Sequence, residues 1–254
     1  MALLELRDCT IRFGGLTAVA SFSMKLPANG LYGLIGPNGA GKTTIFNMIT
    51  GVYRPTEGEV LLAGQSLVGM KPYQICSLGV ARTFQNIRLC RSLSVLETVQ
   101  MSLVKGLSYG FASAAMNFGA FAKEEARVHD FIIETLSLFE LDQYANDPAT
   151  SLPYGDQRRL EIVRALASNP RLLLLDEPAA GTNPSEKREL LNLIRQVKER
   201  FEVAILLIEH DMSVVMGICE QIVVLHYGAK IVEGTAEEIR RNPKVIEAYL
   251  GEEV

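Results

Sequence analysis

The sequence predicts an α/β fold, in which a mostly parallel sheet carries an antiparallel β layer and an inserted α-helical subdomain. Short apolar runs typical of strands buried on both faces of a parallel sheet occur at 31–35, 171–175 and 203–208. Residues 3–8 and 19–26 instead alternate apolar and polar side chains, which predicts antiparallel strands with one solvated face. Apolar side chains at helical spacing in residues 94–149 predict the helices.

The remaining elements follow from local patterns in chain order. Residues 45–50 predict a helix that Gly51 ends, and a turn then leads into a strand near 59–62. Further helices are predicted at 71–79, 153–168, 185–200 and 213–219, and further strands at 80–84, 221–225 and 230–233. Pro153 suits the first turn of its helix, where a backbone N–H is not needed. The tail at 236–250 is predicted as one short helical segment with Pro243 inside it.

A glycine-rich loop between the strand at 31–35 and the helix at 45–50 predicts a triphosphate site. Gly36, Gly41, Lys42 and Thr43 satisfy the pattern G-x-x-x-x-G-K-[ST]. Glycines let successive N–H groups curl around an anion, and the helix N-terminus adds partial positive charge. Lys42 is predicted to reach the β- and γ-phosphates, and the Thr43 hydroxyl to bind Mg²⁺. The predicted nucleotide-binding residues of this loop are Gly36, Pro37, Asn38, Gly39, Ala40, Gly41, Lys42, Thr43 and Thr44.

Polar side chains at the ends of three other predicted strands point to hydrolysis. Asp176 follows four leucines and is predicted to hold Mg²⁺, with Glu177 as the general base that polarises the attacking water. Gln85 ends the strand at 80–84, where an amide can bind Mg²⁺ and respond to the γ-phosphate. His210 lies just beyond the strand at 203–208 and is predicted to donate to the γ-phosphate.

Two further segments are candidates for nucleotide contact. Phe13 precedes the phosphate loop and can stack on a base, although a core position is equally compatible with the sequence. Leu152, Pro153, Tyr154, Gly155 and Asp156 lead into a helix whose glycine-containing N-terminus can bind an anion, although a plain core helix has the same local pattern.

Composition narrows the classes of protein that fit. The chain has 254 residues and a net charge of −4, and the lack of a basic face argues against a nucleic-acid partner. Its four cysteines form no C-x-x-C pair, which favours a reducing compartment over a disulfide framework or a zinc site. The N-terminus lacks the pattern of a signal peptide, and no apolar run reaches the ~20 residues of a transmembrane helix.

Taken in order, these segments resemble the ATP-binding subunits of ABC transporters along essentially the whole chain. The segments 82–89, 154–160, 179–184 and 238–251 resemble the Liv-type subfamily, which energises uptake of branched-chain amino acids, and whose relatives move urea, short-chain amides or other amino acids. The resemblance implies a core of about 1–93 and 167–235, a helical subdomain of about 94–166 and a C-terminal helical tail of about 236–254. It assigns Phe13 to the adenine and residues 152–156 to the partner's ATP.

The resemblance also implies the cofactors, partners and location. ATP and Mg²⁺ are bound between two ATPase subunits, identical or homologous, each phosphate loop facing the partner's signature segment. Integral-membrane permease subunits dock on the pair, and a periplasmic or extracellular solute-binding protein acts through them. The subunit is then peripheral, on the cytoplasmic face of the inner membrane.

Two departures from the family pattern weigh against a symmetrical, fully active homodimer. The general signature LSGGQ reads Leu-Pro-Tyr-Gly-Asp at 152–156, so Pro153 replaces the serine hydroxyl that meets the partner's γ-phosphate. Asn183 replaces the aspartate of the loop after Glu177 and removes a charge. Two alternatives differ in function: a soluble ABC-type ATPase of DNA repair or translation, and a nucleotide-switched module without useful hydrolysis.

Overall fold

The computed structural model describes residues 2–84, 87–103 and 118–250 of the chain. Its contacts divide the protein into two compact units, one formed by residues 1–85 and 171–254 and the other by 86–170. The predicted α/β fold class is confirmed, with a mostly parallel sheet, an antiparallel sheet and a largely helical second unit. No helix within the described ranges is both long and apolar enough to cross a membrane.

The first unit contains two sheets in the part of the chain that is described. The antiparallel sheet has the order β2-β1-β4-β5, and the larger sheet has the order β10-β9-β3-β8-β7-β6. The strands are β1 (Ala2–Phe13), β2 (Leu16–Pro27), β3 (Leu31–Ile35), β4 (Glu57–Leu62), β5 (Gln65–Ser66), β6 (Val80–Arg82), β7 (Leu172–Asp176), β8 (Ala204–Ile208), β9 (Gln221–His226) and β10 (Ala229–Gly234).

The parallel strands of the larger sheet bring the predicted catalytic segments to one edge. Strand β3 lies between β8 and β9 and runs parallel to both, while β7 runs parallel to β6 and β8. Asp176 pairs in register with Ile208, and Ile208 pairs with Leu34. The chain after β3, β7 and β8 therefore leaves the sheet at the same level, where open α/β sheets bind their ligands.

An apolar cluster of buried residues joins the antiparallel sheet, the larger sheet and the helix Lys42–Ile49. Ile45, Phe46 and Ile49 on that helix are fully buried against side chains from both sheets. All five residues of β7 and all five of β8 are buried, as predicted for strands covered on both faces. This burial anchors the helix that follows the phosphate loop, so the loop is held between rigid elements.

Helices complete both units. The first unit contains Lys42–Ile49, Pro72–Ser77, Pro184–Arg200, Met212–Ile218, Ala236–Arg240 and Pro243–Leu250. The second contains Val95–Gln100, Phe118–Leu138 and Tyr154–Ala167, with 3₁₀ turns at Met101–Leu103, Asp142–Tyr144 and Ala149–Ser151. Ile132 and Leu136 of the predicted helical stripe are fully buried, and Thr135 of the same stripe is buried as well.

The structure corrects three local predictions. The tail is two helices rather than one, because Pro243 lacks the N–H that an interior helical position needs and instead begins the second helix. Pro153 is the N-cap of its helix, with an extended ψ of 152°, rather than a residue of the first turn. Strand β6 ends at Arg82, two residues before the predicted end at Phe84.

Candidate functional site

The phosphate loop lies between β3 and the helix Lys42–Ile49, as predicted. Gly36, Gly39 and Gly41 all have positive φ, of 152°, 76° and 103°. A Cβ on Gly36 would lie 2.2 Å from the carbonyl oxygen of Leu225, and one on Gly41 would lie 2.7 Å from that of Ala18. Glycine is therefore required at these two positions by backbone conformation and by neighbouring backbone.

Lys42 is buried within the loop that it follows. The residue is 7% exposed, and its Nζ donates to the carbonyl oxygens of Gly36 and Pro37, the latter at 2.8 Å. Two carbonyls of the loop thus hold the ammonium group against the loop backbone. A cation and a set of N–H donors in one place form an anion-binding site.

A cavity of about 520 Å³ lies over the loop. It brings Lys42, Thr43 and Thr44 together with Glu177, which is distant in sequence. The lining residues are Leu16, Thr17, Ala18, Asn38, Gly39, Ala40, Gly41, Lys42, Thr43, Thr44, Glu177, Tyr227 and Gly228. The volume and the polar loop atoms suit a small phosphorylated ligand.

The turn between β9 and β10 lies where the sequence predicts it, at 227–229, and it supports the loop through contacts that sequence reasoning missed. The N–H of Gly228 donates to the carbonyl of Ala40 at 3.0 Å, and the N–H of Ala20 donates to the carbonyl of Gly228 at 2.9 Å. Tyr227 is 83% exposed and adopts a φ of 45°, which is costly for a bulky residue. The turn fastens the phosphate loop to β2.

Asp176, a predicted Mg²⁺ ligand, ends β7 with only 4% of its surface exposed. Its Oδ2 accepts a hydrogen bond from Nη2 of Arg82 at 2.7 Å, and its backbone N–H donates to Oγ1 of Thr83 at 3.3 Å. Sequence reasoning missed Arg82. The available signal was its place at the end of a strand in the same parallel sheet, which brings it to the same edge as Asp176.

Glu177, the predicted general base, and His210, the predicted γ-phosphate donor, lie side by side. Nδ1 of His210 is 3.7 Å from Oε1 of Glu177, and the imidazole is largely exposed. Glu177 has a φ of 49°, and its N–H donates to the carbonyl of Ile208 at 2.9 Å. A strained, non-glycine backbone that is held in place by the sheet is typical of functional positions.

Glu209 is a buried carboxylate that sequence reasoning left without a role. It is 1% exposed, and its Oε1 accepts a hydrogen bond from the N–H of Ala179 at 2.9 Å. Burial raises the pKa of Glu209, while the Ala179 hydrogen bond and His210 oppose that rise. Glu209 thereby anchors the start of the loop that follows Glu177.

Asn183 has a local role that differs from its predicted effect on charge. Its Oδ1 accepts hydrogen bonds from the N–H groups of Ser185 and Glu186, at 2.9 and 3.0 Å, and so caps the helix Pro184–Arg200. Asparagine is among the best residues for this position. The amide therefore replaces an aspartate without loss of the cap.

Phe13 ends β1, and its ring packs edge-on against Tyr53 with centroids 5.1 Å apart. Phe13 is 45% exposed and is not among the described residues that line the cavity. Its contact with adenine stays a prediction. Gln85 falls outside the described residues.

The signature segment belongs to the second unit. Leu152 and Pro153 precede the helix Tyr154–Ala167, and Asp156 lies in its first turn. An added Cβ on Gly155 would meet nothing within 4 Å, so the backbone at this helix N-terminus is open. Tyr154 is half exposed, and its hydroxyl accepts a hydrogen bond from Nη2 of Arg158 at 2.9 Å. The contact of residues 152–156 with a partner's nucleotide stays a prediction.

Comparisons with known proteins place this geometry in a family. The ABC transporter family model matches residues 19–180, and the model of the branched-chain amino acid ATP-binding cassette transporter matches residues 229–254. The chain is 45% identical to the high-affinity branched-chain amino acid transport ATP-binding protein LivG of Escherichia coli K12, over 98% of each chain. It is 44% identical to the corresponding protein BraF of Pseudomonas aeruginosa, again over 98% of each.

Solved structures agree with the sequence comparisons. The ADP conformation of MJ1267, an ATP-binding cassette of an ABC transporter, has a TM-score of 0.86 and 27% identity, and the match covers 99% of this chain and 100% of that one. A nucleotide-free ATP-binding cassette from an ABC transporter has a TM-score of 0.84 and 28% identity, with the same coverage. The chain therefore belongs to the family of ABC transporter ATP-binding subunits, the nucleotide-binding ATPases of these transporters.

Proposed function

We propose that this subunit hydrolyses ATP to drive the uptake of branched-chain amino acids: leucine, isoleucine and valine. One observation carries the catalytic part: the phosphate loop with Lys42 and the carboxylate Glu177 line the same cavity. The 45% identity to LivG, a branched-chain amino acid transport protein, supports the substrate class. A related amino acid, amide or urea is the alternative substrate. A function in DNA repair or translation is not favoured, because the relatives that match over 98% of each chain are transport proteins.

Different residues of the first unit bind the nucleotide and activate the attacking water. The loop N–H groups of 36–44 and Lys42 hold the β- and γ-phosphates, and Phe13 stacks on the adenine. Glu177 accepts a proton from the attacking water, which bonds to the γ-phosphorus as the bond to the β-phosphate oxygen breaks. His210 donates a hydrogen bond to the γ-phosphate. The products are ADP and inorganic phosphate.

Mg²⁺ is the metal that the donor set of the site suits. Thr43 offers a hydroxyl and Asp176 a carboxylate, both oxygen ligands of the kind that Mg²⁺ takes beside substrate phosphates. Gln85 is the third proposed ligand. When bound, the ion neutralises charge on the phosphates.

The assembly that we propose is a pair of ATPase subunits, identical or homologous, on integral-membrane permeases at the cytoplasmic face of the inner membrane. Each ATP lies between one phosphate loop and residues 152–156 of the partner. The helical subdomain at about 94–166 carries that segment. A periplasmic or extracellular solute-binding protein delivers the solute to the permeases.

Reconstitution tests this proposal directly. The pair of ATPase subunits, the permeases and the binding protein are assembled in proteoliposomes, and uptake of radiolabelled leucine is measured with ATP inside. We expect ATP-dependent uptake of leucine, isoleucine and valine, and none when Lys42→Ala replaces the wild type. Uptake of urea or an amide with no uptake of these three amino acids would overturn the substrate assignment.

A further inference from the structure

We infer that Arg82 is a positioning residue that fixes the Asp176 carboxylate for metal binding and ties it to the helix behind the phosphate loop. The inference rests on the proposed function, in which Asp176 is a Mg²⁺ ligand. It concerns a residue outside the loop, the acidic pair and the signature segment. Its basis is a network of contacts that the described residues make inside the first unit.

Arg82 joins two elements through the two arms of its guanidinium. Nη2 donates to Oδ2 of Asp176 at 2.7 Å, and Nη1 donates to Oδ1 of Asn47 at 2.7 Å. Asn47 belongs to the helix Lys42–Ile49, whose first residues bind the phosphates in our proposal. One planar group therefore sets the separation between the end of β7 and the helix that carries Lys42 and Thr43.

The surroundings of Arg82 restrict it to this geometry. The side chains of Arg82 and Asp176 are only 10% and 6% exposed, so water competes weakly for their ion pair. The guanidinium carbon lies 5.3 Å from the ring centre of Phe46 and 5.5 Å from that of Phe84, distances at which aromatic faces attract a cation. Both rings and both hydrogen bonds hold the guanidinium plane in one orientation.

A carboxylate that binds a metal with one oxygen needs its other oxygen held. Arg82 engages Oδ2, so Asp176 can offer its second oxygen in a defined direction. Burial of a carboxylate without a partner is costly, and the nearby cation offsets that cost. Partners of this kind change metal affinity by about 10–100-fold when they are removed.

Arg82→Lys separates the positioning role of this side chain from its charge. Arg82→Lys retains a cation but loses the planar fork that engages Asn47 and Asp176 through two separate nitrogens. Arg82→Ala is a poor test, since it leaves a buried carboxylate unpaired and is expected to destabilise the fold strongly. Arg7→Lys is the matched control, since Arg7 pairs with Glu5 at 2.8 Å on an exposed surface.

The experiment measures binding of a fluorescent ATP analogue across a Mg²⁺ titration, with thermal unfolding in parallel. For Arg82→Lys we expect the dissociation constant in excess EDTA to stay within about twofold of wild type. The Mg²⁺ concentration for half-saturation should rise about 10–100-fold. Arg7→Lys should change neither quantity.

A thermodynamic cycle with Asp176→Asn tests whether Arg82 acts through Asp176. In the Asp176→Asn background, Arg82→Lys should shift the Mg²⁺ dependence no further, because the group that it positions is gone. An unchanged Mg²⁺ dependence in Arg82→Lys, with or without a lower unfolding temperature, would overturn the inference. A tighter Mg²⁺ dependence would also overturn it, since Arg82 would then compete with the metal. If wild type shows no Mg²⁺ dependence at all, the proposed function fails instead.

Discussion

Replacement of Gly36 by alanine tests the packing on which the phosphate loop depends. A Cβ at this residue would lie 2.2 Å from the carbonyl oxygen of Leu225 and 3.1 Å from its carbonyl carbon, with φ at 152°. Occupying a left-handed backbone region costs about 1–2 kcal/mol for a residue with a Cβ. Forcing the loop or the end of β9 apart adds about 1–3 kcal/mol, as for overpacked cores. We expect Gly36→Ala to lose about 2–5 kcal/mol of unfolding free energy and most of its ATP affinity.

Gly64→Ala is the matched control for this substitution. Gly64 has a φ of 83°, and an added Cβ would meet nothing within 4 Å. Gly64→Ala should therefore lose only the part of the unfolding free energy that comes from backbone conformation, about 1–2 kcal/mol, and keep its ATP affinity. Urea denaturation without nucleotide measures the stabilities, and equilibrium binding of a fluorescent ATP analogue measures the affinities. Equal losses of stability in the two variants, or wild-type affinity in Gly36→Ala, would refute this reasoning.

Three further predictions address single side chains. Lys42→Ala should show no measurable ATP binding by fluorescence, because it removes the cation held in the loop; unchanged binding would contradict that role. Tyr227→Asn should raise the thermal midpoint, by a gain of about 0.5–1 kcal/mol, because asparagine suits the left-handed turn; a lower midpoint would show that the Tyr227 ring stabilises the turn. Because burial raises the pKa of Glu209, its ionisation costs stability as the pH rises through that pKa. Glu209→Gln should therefore gain stability over wild type as the pH rises from 4 to 8, and a gain independent of pH would count against this account.

Local sequence was sufficient where a function depends on consecutive residues. The apolar run at 31–35, the glycine-rich loop and the segment at 45–50 predicted a strand, a loop and a helix, and that order is confirmed. The leucine run before Asp176 predicted a buried parallel strand for a similar reason, since burial on both faces leaves a continuous apolar pattern. The roles assigned to these side chains stay predictions until variants are measured.

Contacts between distant residues were beyond the reach of local patterns. Arg82 meets Asp176, which lies 94 residues further along the chain, and no local spacing encodes that ion pair. The N–H of Gly228 likewise donates to the carbonyl of Ala40, far earlier in the chain, and no local pattern encodes that hydrogen bond. The tail at 236–250 is predicted as one helical segment with Pro243 inside it, whereas the missing N–H of Pro243 makes it the start of a second helix.

Phosphate release by Glu177→Gln tests the central claim most directly. The variant keeps the shape of a side chain that lines the cavity and removes the carboxylate that accepts the proton of water. With the permease partners and Mg²⁺ present, we expect ATP affinity near that of wild type and hydrolysis slower by about 10²–10⁴-fold. Wild-type turnover in this variant would contradict the assignment of Glu177 as the general base.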